Sequence, residues 1–176
     1  MRSDTKKKSY GVKGLIKDII IVLVIVFAIT FFVKPIVVKG ISMEPTLIEN
    51  NYLFISKQAY RFGEPEYKDI VVFPHKEGTE KELYIKRIIG TPGDKIAIKD
   101  GDVFVNDKKL DEPYINEGYT GGEIDGLVIP DDEVFVMGDN RNHSSDSRYF
   151  GTVKVSELTG KAVIRLFPFD KIGLLK

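Results

Sequence analysis

One stretch limits the folds open to this chain more than any other. From Ile19 to Val33 the residues read IIIVLVIVFAITFFV, with Thr30 as the only hydroxyl. A helix apolar on every face must be buried inside a large protein or in lipid. The chain has 176 residues, room for one compact domain and an anchor rather than for a protein that could surround such a helix. Counted from residue 15 to residue 34, the segment approaches the roughly 20 residues that a bilayer span needs. A buried core helix, a cleaved secretory signal and an uncleaved anchor are the three readings. No small-x-small site follows, since the exit reads Phe31-Phe32-Val33-Lys34-Pro35, and this favours the anchor. Lys6, Lys7, Lys8, Lys13 and Lys17 then place the N-terminus in the cytoplasm. The predicted organisation is a basic cytoplasmic tail at 1–14, a membrane anchor at 15–34 and an extracytoplasmic domain at 35–176.

Charge is uneven along the chain. Of 26 Lys/Arg and 26 Asp/Glu, seven bases and two acids fall in residues 1–34, so the remainder is net acidic. An acidic body argues against nucleic acid as a partner, because phosphate binding needs a basic footprint. Cysteine is absent, which excludes disulfides, thiolate metal sites and a cysteine nucleophile. His75 and His143 lack metal-ligand spacing and read as solvent or loop residues.

After Pro35 the pattern changes to short β-branched and aromatic runs between turns. Strands are predicted over 51–56, 69–73, 82–89, 95–99, 102–106, 133–137 and 161–167. Asp100-Gly101 is a two-residue hairpin signal, since both residues tolerate positive φ. Thr91-Pro92-Gly93-Asp94 is a second turn. Residues 116–126 (NEGYTGGEIDG) read as a mobile surface loop, and 153–158 as one short helical turn. The fold class is therefore mainly β, folded antiparallel sheets or an open barrel, behind a single N-terminal transmembrane helix.

Three segments could carry chemistry. Ser42, in Gly40-Ile41-Ser42-Met43-Glu44-Pro45-Thr46-Leu47, stands within about 30 Å of extended chain from the end of the apolar run. Lys86 interrupts an apolar strand, Leu83-Tyr84-Ile85-Lys86-Arg87-Ile88-Ile89; period two puts it on one face with Tyr84 and Ile88, and Arg87 on the other with Ile85 and Ile89. An edge-strand lysine that discourages pairing is the bland reading. The other is a buried amine. An unperturbed lysine is neutral at pH 7 about once in 2,500 molecules, a handicap of roughly 4.6 kcal/mol. Apolar burial lowers that handicap enough for a working base. The polar run 138–151 could be a solvated loop or a hydrogen-bonded support. There Asp139 could pair with Arg87, Asp146 with Arg148 or Arg141, and Ser144 or Ser145 could orient a lysine amine.

Together these segments resemble the type I signal peptidases, serine proteases with a Ser/Lys dyad, in their Gram-positive single-anchor form. Residues 42–47 are similar to the family's nucleophile box, 84–94 to its general-base box and 138–151 to its final box. Lys68-Asp69-Ile70-Val71-Val72-Phe73 is similar to a further box, with lysine where the family usually has glycine. The resemblance implies a membrane-bound endopeptidase that removes signal peptides from exported precursors, cutting after small-x-small residues without metal or cofactor. Ser42 would be the nucleophile and Lys86 the base. Ser144 would bond the lysine amine, and Asp139 with Arg87 and Asp146 with Arg148 would be supports. The Ser42 N–H would donate to the oxyanion; Gly40 stands where some members have a second, serine donor. By the same matching Ile36, Val38, Met43, Leu47, Tyr84 and Ile85 would line the substrate pockets. The implied partners are secretory precursors and the lipid bilayer.

Other classes remain. A non-catalytic membrane-tethered β module would bind or scaffold, but would be expected to lose the serine or the lysine. Self-cleaving repressors share such a dyad but need a DNA-binding domain. A structural membrane protein with a surface-sensing domain leaves the three boxes unexplained.

Overall fold

The computed structural model describes residues 11–77, 80–115 and 117–175; most of the predicted basic tail, and Asn116 of the predicted loop, lie outside them. Helix α1 spans Val12–Phe32 and buries none of its residues in the protein. It is long and apolar enough to cross a membrane. It begins before Leu15 and ends before Lys34. Val33 is already extended (φ −125°, ψ 141°). Pro35 keeps the helix from resuming, because its ring disfavours helical backbone at Lys34.

The body is all antiparallel. Its strands are β1 (Val33–Val37), β2 (Tyr52–Ser56), β3 (Ile70–Glu77), β4 (Glu80–Gly90), β5 (Lys95–Lys99), β6 (Asp102–Val105), β7 (Lys108–Lys109), β8 (Ile124–Val128), β9 (Glu133–Met137), β10 (Val153–Lys154), β11 (Gly160–Phe167) and β12 (Gly173–Leu174). An eight-stranded sheet runs β1-β2-β11-β3-β4-β9-β10, with β12 on β11, and a four-stranded sheet runs β7-β6-β5-β8.

Alternation along the strands decides how these layers pack. On β3, Ile70 and Val72 join Val38, Met43, Leu47, Leu53, Ile55 and Ile85 in one core. Val71 and Phe73 point the other way, to Ile88, Val134 and Val136. The strand is buried on both faces, which is why it lacks an apolar-polar alternation. Phe135 and Met137 of β9 meet Ile96, Ile98 and Val103 in a third core that joins the two sheets.

The Asp100-Gly101 hairpin forms as read, with φ of 53° and 84° at its two loop residues and Lys99 opposite Asp102. The loop reading of 116–126 fails at its end: Ile124–Gly126 belongs to β8, whose Leu127 and Ile124 pair with Ile96 and Ile98. Flanking glycines hid an edge strand whose partner is distant in sequence. Residues 153–158 hold one short turn, a 3-10 helix at Val155–Glu157, after the two-residue strand β10.

Candidate active site

Ser42 sits on a turn just beyond β1. Gly40 opens it with φ 75°, in the left-handed region that favours glycine. Glu44 N donates to Ile41 O at 3.1 Å and Leu47 N to Met43 O at 2.8 Å. Met43 and Leu47 are driven into the core, and this roots the turn while leaving Ser42 half-buried.

Lys86 comes from the middle of β4, opposite Val71. Its side chain is 3% exposed. The amine lies 2.8 Å from Ser42 Oγ and 4.8 Å from the centre of the Tyr84 ring. Two residues 44 positions apart are thus within hydrogen-bond reach, on elements that share one core through Met43 and Leu47 of the turn and Ile85 of β4.

The supports of the pair are charged and buried. Arg87 binds Asp139 in a two-pronged pair, Nε to Oδ1 at 2.8 Å and Nη2 to Oδ2 at 2.7 Å. Arg87 Nη1 also donates to Lys68 O at 3.0 Å. Lys68 has φ 75°, so the left-handed turn that glycine would supply is kept here by a lysine, at a strain of about 1 kcal/mol. Asp146 takes Arg148, Nε to Oδ1 at 2.8 Å and Nη2 to Oδ2 at 2.9 Å, and also accepts from Gly138 N at 3.0 Å. Arg141, the other partner open to Asp146, goes elsewhere. It reaches Glu112 at 2.8 and 2.6 Å, Thr120 Oγ1 at 2.8 Å and Gly138 O at 3.0 Å. Burial by itself would lower the Arg141 pKa, but the hydrogen bonds and charge of Glu112 raise it overall. Burial foremost, then the Glu112 charge, raises that of Tyr114.

One reading of the sequence, that of His75, is corrected, and Ser144 and Leu47 have surroundings of their own. Ser144 Oγ is buried with no hydrogen-bond partner among the described residues. Ser144 is packed so closely on Gly138 that a Cβ at residue 138 would stand 2.3 Å from its Oγ and 2.4 Å from Ser42 O. Leu47 is fully buried and absent from the cleft wall, because the turn points it into the core. His75 is no solvent or loop residue: it lies on β3 and stacks on Tyr84 and Phe150, with ring centres 4.8 and 4.3 Å apart.

Ser42 and Lys86 open onto a cleft of about 730 Å³. One wall is residues 34–39 with the Ser42 turn, and the other is residues 82–86 of β4. Ile36, Val38, Met43, Tyr84 and Ile85 are on it, and so are His143 and Ser145. β1 is the edge of its sheet, and β9 pairs with β4 only from Arg87 onward. Among the described residues no group of three His, Cys, Asp or Glu could hold a metal ion.

Reasoning from sequence missed Glu112, Tyr114 and Thr120. Nothing local marks them; the one available signal is that Arg87, Arg141 and Arg148 outnumber Asp139 and Asp146.

Residues 12–167 match the model of the family described as signal peptidase, peptidase S26. A probable signal peptidase I-2 of Synechocystis is 42% identical over 83% of this chain and 68% of its own. Signal peptidase I P of Bacillus subtilis subsp. natto is 37% identical over 95% of each. A signal peptidase I of Enterococcus faecalis with a solved structure is 33% identical over 56% of this chain and 96% of that one, with a TM-score of 0.48.

Proposed function

The chain belongs to the signal peptidase family, peptidase S26, and from that premise we propose that it removes signal peptides from secretory precursors by Ser/Lys catalysis. The observation that carries this reading is the 2.8 Å contact between Lys86 Nζ and Ser42 Oγ at the floor of the cleft. An ammonium withdrawn from water is disfavoured against the neutral amine. The neutral amine accepts the Ser42 proton as Oγ forms its bond to the scissile carbonyl carbon. Lys86 then passes that proton to the departing amine as the C–N bond breaks, leaving an acyl-serine. Water, deprotonated by the same amine, attacks the ester and releases the signal peptide. The Ser42 N–H donates to the oxyanion in both steps.

The substrate backbone lies as an added strand between β1 and residues 83–86, the mode in which main-chain bonds hold a peptide and alternate side chains enter pockets. Ile36, Val38, Met43, Tyr84 and Ile85 make those pockets shallow and apolar, which suits small side chains before the cut. Helix α1 anchors the chain with its N-terminus in the cytoplasm and the body outside, where it meets precursors still held in the bilayer.

The test is cleavage of a secretory precursor in detergent or lipid by the wild type, Ser42→Ala and Lys86→Ala, with folding checked in each. Both folded variants should lose at least about a thousandfold in rate. Near-full activity in either, or a wild type inert on several good precursors, sinks the dyad and favours a membrane-tethered binding module.

A further inference from the structure

Behind the nucleophile stand three buried guanidiniums, and the segment joining β7 to β8 reaches all of them. Tyr114 lays its ring 4.2 Å from the Arg87 guanidinium carbon. Glu112 takes both terminal nitrogens of Arg141, and Thr120 Oγ1 takes one of them as well. The carbonyl of Gly121 accepts from Arg148 Nη1 at 3.0 Å. Tyr114 OH donates to Glu112 Oε1 at 2.7 Å, so the ring on Arg87 and the carboxylate on Arg141 brace each other. This pair is almost dry, with Arg141 0% and Glu112 7% exposed.

From Glu112 the contacts lead to the nucleophile in a few steps. Arg141 Nε holds Gly138 O at 3.0 Å, and the Arg141 carbonyl accepts from Arg148 Nη2 at 2.6 Å. Between these two fixed points lies Asn140. Its N–H donates to Ser42 O at 3.0 Å, and its Nδ2 donates to Ile41 O at 3.1 Å. Those are the carbonyls of the two peptides that flank the Ser42 Cα. A buried arginine stripped of its carboxylate is costly and swings toward water. Gly138 O and the Asn140 turn would then lose their hold, and the Ser42 turn with them.

We infer that Glu112 is a positioning residue for Ser42, acting through Arg141 and Asn140; the inference rests on the dyad reading above. Most of the cleft wall comes from β1 and β4, and Glu112 is not on it, so the loss should fall mainly on kcat.

The experiment uses the full chain in detergent micelles, with precursor titrations for Glu112→Ala, Glu112→Gln and Thr120→Val beside wild type, Ser42→Ala and Lys86→Ala. Thermal unfolding of each variant normalises rates to folded protein. Glu112→Ala should lower kcat about ten- to hundredfold with KM within about twofold, and Glu112→Gln, which keeps one acceptor, should fall between it and wild type. A folded Glu112→Ala with kcat within about twofold of wild type overturns the role. So does a loss that disappears after normalisation, since that is a purely structural effect. If Glu112→Ala does not fold, Glu112→Gln and Thr120→Val decide by the same split: reduced kcat at unchanged KM supports the role, and unchanged kcat overturns it. Near-full activity in Ser42→Ala or Lys86→Ala overturns the dyad and this role with it, whereas an active Glu112→Ala beside two inactive dyad variants overturns this role alone.

Discussion

On the eight-stranded sheet and its loop, Arg87–Asp139 and Arg148–Asp146 are withdrawn from water, with no side chain in them more than 2% exposed. On the four-stranded sheet, Lys95–Asp107 and Lys109–Asp102 stand in solvent, with side chains 35–77% exposed. The difference is one of dielectric and of pre-organisation. An exposed pair gives back most of its Coulomb energy to solvent and side-chain entropy. A buried pair has already paid desolvation for both partners, so removing one leaves a stranded charge. In these four pairs arginine holds the buried positions and lysine the exposed ones. A planar fork satisfies a carboxylate in two places, whereas an ammonium keeps its water more readily. Rigidity is therefore concentrated around Ser42 and Lys86.

Breaking one pair of each kind tests that contrast. Asp139→Ala leaves Arg87 buried with one carboxylate fewer and should destabilise the fold by about 3–5 kcal/mol in urea unfolding. A loss no larger than that of a surface change would mean water already reaches Arg87. An intermediate case lies at the edge of the smaller sheet. Burial alone would raise the Asp94 pKa, but hydrogen bonds from Thr91 N, Asn106 Nδ2 and Thr91 Oγ1 hold it below the usual carboxylate value. Because the folded value is depressed, its contribution is present above the unfolded pKa and is lost as pH falls through the folded one. Asp94→Asn should therefore be less stable than wild type near neutrality, and the gap should close as pH drops through the carboxylate range. A gap independent of pH would show that shape, not charge, holds this turn. The smallest effect belongs to Lys109→Ala, whose pair with Asp102 is solvated, and it should stay within about 0.5 kcal/mol.

Where burial was dictated locally, the fold could be read ahead of the structure. Strands 95–99 and 133–137 fall on the predicted residues, and the Asp100-Gly101 turn joins its strands as its φ preferences require. β1 was hidden because Val33 continues the apolar run while Lys34-Pro35 looks like a break; its pairing with Tyr52–Ser56 supplies the missing cause. At the site, Ser42, Lys86, Arg87 and Asp139 were named from sequence and meet in space. The partner of Arg141 could not be, since nothing near Glu112 in the chain points to an arginine 29 residues away.

The junction between helix and body has its own consequence. Lys57 Nζ and Gln58 Nε2 donate to the carbonyls of Thr30 and Phe31, Lys57 N donates to Phe32 O, and Val33 begins a strand at once. The tether is short and bonded on both sides. On the anchored reading proposed above, the body would work like a tool on a stem, its reach above the base set by one joint and a few strand residues. It would favour substrates by how far their scissile bond protrudes as well as by what flanks it.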